Sequence, residues 1–170
     1  IYSEAFFNIL QADIQKEESG VYKPVNVKGY FELKKVNFTY PENADPTLFG
    51  INMKILPGKI TALVGLSGAG KSTLINLLDK FYHPDSGEVL LDGVDLKQYD
   101  TAYLRDNIGL VLQRNHIFNG TVEENIRYGN PHATEEEVIE AAKKSYIHEQ
   151  IMFLPEKYQT SALALSGGQQ

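Results

Sequence analysis

Residues 65–73 have the types and spacing to bind phosphate, because they are rich in glycine and end in a lysine and two hydroxyl side chains. They follow the pattern G-x-x-x-x-G-K-[ST]. A glycine-rich turn lets consecutive backbone N–H groups point inward at phosphate oxygens. Lys71 places a compact positive charge beside the outer phosphates. The pattern therefore predicts a loop that holds the phosphates of a nucleoside triphosphate. The candidate binding residues are Gly65, Leu66, Ser67, Gly68, Ala69, Gly70, Lys71, Ser72 and Thr73.

The segment also contains a candidate ligand for Mg²⁺, the hydroxyl group of Ser72. Mg²⁺ prefers oxygen ligands and keeps waters and substrate phosphates around it, so the Ser72 hydroxyl is a candidate ligand. The histidines are too scattered to predict a metal site by spacing. They are His83, His116, His132 and His148.

Two predicted elements must position this loop. The segment Ile60-Thr61-Ala62-Leu63-Val64 is nearly all apolar, as a strand buried on both faces would be. After the loop, apolar residues between Leu74 and Leu78 recur at helical spacing. A strand, a glycine loop and a helix start in this order add the positive potential of the helix N-terminus to phosphate binding. The correct flanks disfavour the alternative of a chance match on a glycine-rich turn.

Composition limits the partners of the chain. Its 170 residues carry 16 basic and 22 acidic side chains, for a net charge of −6. No block of lysine and arginine supports nucleic-acid binding. The sequence has no cysteine, no signal peptide and no apolar stretch of bilayer-spanning length. Any membrane role is therefore expected to depend on sequence outside this chain or on a partner.

The first 28 residues differ in character from the rest. Apolar residues within Tyr2–Leu10 fall at helical spacing, which predicts a short amphipathic helix. Such a helix either follows a membrane domain or packs on its own domain, and the sequence leaves both open. Residues 11–28 are polar and contain Gly20 and Pro24, so they are predicted to form a linker.

The segment before the phosphate loop predicts antiparallel strands. An apolar pattern in 31–38 breaks its alternation at Lys34-Lys35, and a second pattern alternates cleanly. The alternating residues of the second pattern are Phe49, Ile51, Met53 and Ile55. Tight turns join these runs to the next, which favours antiparallel pairing.

The segment after the loop predicts further strands and then helices. Glu88–Leu91 is a predicted strand that ends in an Asp92-Gly93 turn, and Ile108–Leu112 is a predicted buried strand. Thr121-x-x-Glu124 and Thr134-x-x-Glu137 both have the form of a capping box. The second helix is predicted to bury an apolar stripe. The stripe residues are Val138, Ile139, Ala141, Ala142 and Tyr146.

The end of the chain reads Leu165-Ser166-Gly167-Gly168-Gln169. With this motif, residues 30–170 resemble the nucleotide-binding domain of ATP-binding-cassette (ABC) proteins. Tyr40 and Gln113 stand in the expected order between the motifs. The segments Ser86–Gly93 and Gly120–Ile126 are similar to those of the family.

The resemblance implies roles for these residues. Tyr40 is the expected aromatic residue that stacks on adenine, and Gln113 is the expected ligand of Mg²⁺ that also orients the attacking water. By residue type alone, each could be an ordinary polar residue at the end of a strand. Ser166, Gly167, Gly168 and Gln169 are expected to contact the γ-phosphate of ATP held by a second domain. Two such domains would then enclose two nucleotides head to tail.

Two further segments are similar to exporters that fuse transmembrane and ATPase domains in one chain. They are Phe118–Gly129 and Phe153–Pro155. The resemblance implies an ATP-binding and ATP-hydrolysing domain on the cytoplasmic face of a membrane, as part of a multi-pass protein. Its implied partners are a second nucleotide-binding domain and a transmembrane domain of the same or another chain, with no nucleic acid.

Two alternatives remain open at this stage. A soluble ABC ATPase of DNA maintenance or repair would carry a long coiled-coil insertion and a basic groove, neither of which is found. A non-catalytic module that dimerises on ATP would lack the catalytic glutamate. That glutamate, its strand and the switch histidine follow the signature in the family, so the chain is expected to be incomplete at its C-terminus and poorly active by itself. Residues 158–164 are also shorter than the family's link into the signature.

The expected fold class is α/β. It comprises a P-loop core sheet, an antiparallel β subdomain and a helical subdomain that ends in the signature. The expected domains are a helix and linker over residues 1–28 and a partial ABC ATP-binding domain over residues 29–170.

Overall fold

The computed structural model describes residues 17–112 and 116–165. The predicted N-terminal helix, Gln113 and the Ser166–Gln169 motif lie outside the described residues. The chain divides into two compact units, Ile1–Gly109 and Leu110–Gln170. Each unit has a hydrophobic cluster of its own.

The first unit contains a four-stranded antiparallel sheet in the order β2-β1-β3-β4. Its strands are β1 (Phe31–Phe38), β2 (Leu48–Ile55), β3 (Ser86–Leu91) and β4 (Val94–Asp95). The sheet confirms the antiparallel subdomain and the predicted Asp92-Gly93 turn, which joins β3 to β4.

The break in alternation within β1 corresponds to an irregularity in strand pairing. The register of β1 against β2 shifts between Leu33 and Val36, and Lys35 has a φ of 49°. One extra residue between apolar positions requires such a bulge if Leu33 and Val36 are both to face the core, and both are buried. In β2 a further shift places Leu48 in the core and leaves Phe49 exposed, so the predicted burial of Phe49 is wrong.

Helix α1 (Lys71–Leu78) follows the phosphate loop and packs against the sheet. Leu74, Leu77 and Leu78 are buried, as their spacing predicts. They share one hydrophobic cluster with residues of β1, β2 and β3. The antiparallel sheet therefore holds the helix that carries the loop.

Two predicted strands are absent from the structure. Residues 60–64 and 108–112 have no regular secondary structure, and Ile60, Val64 and Val111 are almost fully exposed. A nearly continuous apolar run forms a strand only when neighbouring strands and both covering layers are in place. Within the described residues, neither run pairs with a neighbouring strand, so these residues contain no core sheet built on the two runs. The fold class is mixed α and β, as predicted.

The rest of the first unit is a short 3₁₀ helix, Leu96–Gln98, followed by α2 (Thr101–Asp106). Asp100 caps α2 by accepting a hydrogen bond from the backbone N–H of Tyr103 at 2.8 Å. This bond lowers the pKa of the Asp100 carboxyl. The start of the capped helix lies next to residues 19–22.

Residues 17–28, which belong to the predicted linker, lie bound along the first unit. The backbone N–H of Tyr22 donates to the carbonyl of Gln98 at 2.8 Å, and the Asp100 N–H donates to the Tyr22 carbonyl at 3.1 Å. The Tyr22 ring meets the fully buried Tyr99 ring edge-on at 5.0 Å between centroids. The segment is held as an additional extended strand would be.

Side chains also fix this segment. The Asp92 carboxylate accepts hydrogen bonds from the backbone N–H groups of Lys28 at 2.6 Å and Tyr30 at 3.0 Å. The Tyr103 hydroxyl donates to the carbonyl of Pro24. None of these partners is adjacent in sequence, so the composition of the segment did not reveal them.

The second unit is helical. Its helices are α3 (Val122–Arg127), α4 (Glu135–Lys144) and α5 (His148–Met152), with 3₁₀ turns at Lys157–Gln159 and Ala162–Ala164. No helix of residues 17–112 and 116–165 is long and apolar enough to cross a membrane.

Both predicted capping boxes are confirmed at the starts of these helices. Thr121 and Glu124 exchange side-chain and backbone hydrogen bonds at the start of α3, and Thr134 and Glu137 do so at α4. Val138 and Ala142 are buried, as predicted, whereas Ala141 is exposed and its place in the predicted stripe is wrong. Tyr146 is exposed because α4 ends at Lys144 and the chain turns there, so its place in the predicted stripe is wrong.

We expect Asp92→Ala to lower the free energy of unfolding by about 2–3 kcal/mol, because it removes two hydrogen bonds to a carboxylate. Asp92 also has a φ of 52°, which alanine tolerates less well. Thermal and urea unfolding would measure the change. Asparagine tolerates a positive φ and keeps one side-chain oxygen acceptor. Asp92→Asn should therefore lower the free energy of unfolding by less than Asp92→Ala does. An Asp92→Ala variant as stable as the exposed-loop control Asp45→Ala would contradict the account.

Candidate nucleotide-binding site

The phosphate loop is shaped by two residues in the left-handed backbone region. Gly68 has a φ of 81° and Gly70 a φ of 83°. The N–H of Ala69 donates to the carbonyl of Leu66 at 3.2 Å, which closes the turn between them. Gly70 is the N-cap of α1, so the loop leads directly into the helix N-terminus. The first N–H groups of a helix have no intrahelical acceptor and are available to an anion.

Gly70 also lies against the start of β2. A Cβ at this position would be 2.7 Å from Cδ2 of Leu48 and 3.1 Å from the carbonyl oxygen of Thr47. Gly70 and Leu48 are both buried. Only glycine allows this approach, so the sheet fixes where the helix N-terminus points.

Lys71 is held within the loop. Its Nζ donates to the carbonyl oxygens of Gly65 at 2.9 Å and Leu66 at 2.6 Å. The loop therefore wraps around the ammonium group and keeps this charge next to the backbone that would surround the phosphates. The role of Lys71 in phosphate binding stays a prediction.

The two hydroxyl residues after Lys71 have different surroundings. Ser72 is exposed on the first turn of α1, and its hydroxyl is available as an oxygen ligand. Thr73 is buried and its hydroxyl is engaged within the protein. An exposed hydroxyl beside the loop backbone fits Mg²⁺, which takes oxygen ligands from the protein together with phosphate oxygens. Among residues 17–112 and 116–165, no group of three or more histidine, aspartate or glutamate side chains could hold a metal ion.

Tyr40 is joined to the phosphate-loop helix. Its hydroxyl donates to Oγ1 of Thr73 at 3.1 Å. Its ring is edge-on to Phe38, with centroids 4.9 Å apart, and edge-on to Tyr82, with centroids 5.2 Å apart. The half-exposed Tyr40 ring therefore lies in the same unit as the loop.

The C-terminal end of α1 carries unusual buried charges. Burial raises the pKa of the Asp79 carboxyl, against the attraction of Arg105. Burial also lowers the pKa of the Lys80 ammonium, whose Nζ donates to the Tyr99 carbonyl at 2.8 Å. Burial raises the pKa of Tyr99 to about 12. These groups lie at the end of the helix opposite the loop and do not enter the candidate site.

The structure brings together only some of the predicted site residues. The loop residues and Tyr40 belong to one unit and are linked through Thr73. Gln113 and Ser166–Gln169 lie outside the described residues. Sequence reasoning did not identify Tyr82 or the internal role of the Thr73 hydroxyl. The sequence signal that could have identified Tyr82 is the aromatic pair Phe81-Tyr82, which comes shortly after the apolar residues of the predicted helix.

A family model described as ABC transporter matches residues 48–170. This match covers most of the chain.

The chain belongs to the ABC transporter family.

Individual relatives agree with this ABC assignment. The chain is 44% identical over 168 residues to multidrug export ATP-binding/permease proteins, so named, of Staphylococcus aureus strains NCTC 8325 / PS 47 and COL. The protein of the same name from the bovine strain RF122 / ET3-1 is also 44% identical over 168 residues. Each match covers 96% of this chain but only 29% of the relative.

We expect Gly70→Ala to disrupt the ABC phosphate loop more than Gly68→Ala. Both residues have positive φ, so both variants incur backbone strain of about 1–2 kcal/mol. Gly70→Ala adds the clash with Leu48, whereas nothing lies within 4 Å of a Cβ at Gly68. Thermal unfolding and ATP titration would compare the two. Equal losses of stability in both variants would contradict the proposed packing of Gly70 against β2.

Proposed function

We propose that this chain binds ATP with Mg²⁺ and forms part of the ATPase domain of an ABC exporter. The observation that best supports the proposal is the hydrogen bond between Tyr40 and Thr73. It joins an aromatic ring suited to a purine base to the helix that begins at the phosphate loop. Base and phosphate contacts can then be made by one unit of the chain.

In this proposal the loop backbone and the start of α1 bind the phosphate oxygens. Lys71 offsets the negative charge of the outer phosphates, and the charge that develops as the terminal phosphoryl is transferred. The Tyr40 ring stacks on adenine. Together these residues bind the nucleotide and set its orientation.

Ser72 would hold Mg²⁺ together with Gln113, and the metal would help to neutralise phosphate charge when bound. Gln113 would also orient the attacking water. We assign the general base that activates this water to none of the residues named above.

Export is proposed on the basis of the relatives. The chain spans 29% of the length of curated relatives whose names describe both an ATP-binding part and a permease. We propose that a transmembrane domain of the same or a partner chain completes the transporter. The ATPase domain would lie on the cytoplasmic face of the membrane. Ser166, Gly167, Gly168 and Gln169 would contact ATP bound by a second nucleotide-binding domain, head to tail.

Lys71→Ala in the full-length protein tests the proposal. Removing the charge-assisted contacts of Lys71 should weaken ATP binding about 10- to 100-fold and abolish hydrolysis. Calorimetric titration with ATP and a phosphate-release assay would measure both effects. Lys59→Ala, at an exposed turn of the same unit, is the matched control and should bind ATP normally. Unchanged ATP affinity in Lys71→Ala would overturn the assignment of the phosphate loop.

A further inference from the structure

We propose that residues 17–22 form a regulatory strap, whose attachment to the first unit is energetically coupled to nucleotide binding at the phosphate loop. The strap is connected to the C-terminal end of α1, whereas the nucleotide would bind at the N-terminal end of this helix. The inference rests on the proposed function and adds a regulation of the same site. ATP would bind more tightly while the strap is attached, and bound ATP would in turn hold the strap in place.

One connection between the strap and α1 passes through the backbone carbonyl of Tyr99. Its oxygen accepts hydrogen bonds from the N–H of Gly20 at 3.0 Å and from Nζ of Lys80 at 2.8 Å. Lys80 comes two residues after the end of α1, and its N–H donates to the carbonyl of Leu77 at 3.2 Å. Tyr99 is fully buried and Lys80 is 2% exposed. The strap and the end of the helix therefore share one acceptor on a buried residue.

Arg105 forms the second connection. Its guanidinium binds both carboxylate oxygens of Glu17 and donates to the carbonyl of Lys80 at 3.4 Å. Bidentate pairs of this kind fix geometry as well as adding energy. Burial lowers the pKa of the Lys80 ammonium, and the Glu17 carboxylate acts against this shift. Arg105 thus connects the strap to the turn in which α1 ends.

Gly20 shows how closely the strap approaches the first unit. A Cβ at this position would lie 2.0 Å from the carbonyl oxygen of Gln98 and 2.2 Å from its carbonyl carbon. Both are backbone atoms, which cannot yield to such a contact as the end of a flexible side chain would. Only glycine permits the attached position, so a single methyl group is enough to prevent attachment.

The strap can leave the surface while the rest of the unit stays folded. Its residues are exposed or half-buried, and Val21 is 91% exposed. The hydrophobic cluster that packs α1 against the sheet includes, in the described part of the chain, no residue of the strap. Attachment depends instead on hydrogen bonds, an ion pair and the edge-on contact of Tyr22 with Tyr99. Segments with few buried apolar contacts open at a lower free energy than the whole domain.

The helix α1 transmits the effect between the two sites. It is eight residues long, with the strap's connections at one end and the N–H groups that follow the loop at the other. A helix of about two turns is held by its own hydrogen bonds and moves as one body. The attached strap and a bound nucleotide therefore favour the same placement of α1. By linkage, each must strengthen the binding of the other by the same factor.

Gly20→Ala in the full-length protein tests this coupling, because the added methyl group prevents attachment. Calorimetry should show an ATP affinity about fivefold lower than that of the unaltered protein. Glu17→Gln should weaken ATP binding by less, since a partly exposed ion pair contributes little energy. Val21→Ala, at an exposed position of the strap, is the matched control and should leave ATP affinity unchanged.

Hydrogen exchange of the unaltered full-length protein tests the reciprocal effect. Mass spectrometry of peptides that cover residues 17–22 would follow the N–H groups of Gly20 and Tyr22, which are bonded in the attached state. Saturating ATP should slow their exchange about fivefold, the same factor by which Gly20→Ala weakens ATP binding.

Three results would overturn the proposal. They are an unchanged ATP affinity in Gly20→Ala, strap amides whose exchange ATP does not slow, and a Gly20→Ala variant that loses as much protection in β1 as in the strap. The third result would mean that the unit unfolds as a whole and that the strap is not a separate element.

The outcome for Lys71→Ala separates the coupling from the proposed function. If Lys71→Ala weakens ATP binding and Gly20→Ala does not, the coupling alone fails. If Lys71→Ala leaves ATP affinity unchanged, the phosphate-loop assignment fails and the coupling fails with it.

Discussion

The contact between Gly70 and the start of β2 is the constraint on which the candidate site depends. It brings the N-terminus of α1 against Leu48, and Leu74, Leu77 and Leu78 then bury the helix against the sheet. The loop shape, the enclosure of Lys71 and the bond from Tyr40 to Thr73 all require this placement of the helix. A side chain at residue 70 would move the N-terminal end of α1 relative to the Tyr40 ring. The proposed phosphate binding would therefore depend on the antiparallel sheet as much as on the loop.

The opposite end of α1 is connected to the segment that precedes the sheet. The guanidinium carbon of Arg105 lies 4.9 Å from the centroid of the Phe81 ring. The same side chain forms an ion pair with Glu17 and donates a hydrogen bond to the carbonyl of Lys80 at 3.4 Å. Residues 17–30 are held along the first unit by backbone and side-chain hydrogen bonds. Both ends of the phosphate-loop helix are therefore anchored, one to the sheet and one to residues 17–30.

Sequence reasoning was most accurate where the signal was local. The glycine loop, the two capping boxes and the Asp92-Gly93 turn depend on residues a few positions apart, and the structure contains the boxes and the turn as predicted. The strands predicted at 60–64 and 108–112 failed because an apolar run acquires strand structure only from neighbours that the described residues do not supply. The contacts of residues 17–28 were not predicted because their hydrogen-bond partners are distant in sequence. Tyr82 was missed for the same reason, since its contact with Tyr40 is visible only once the chain has folded.

The central claim is that Tyr40 and the phosphate loop form one purine nucleotide site. Photolabelling of the full-length protein with 8-azido-ATP, followed by peptide mapping, tests it most directly, because the reactive group is on the base. The account predicts labelling within Phe38–Pro41 that excess ATP prevents and that Lys71→Ala reduces. Labelling that ATP blocks but that falls wholly outside this peptide would contradict the assignment of Tyr40 as the base platform.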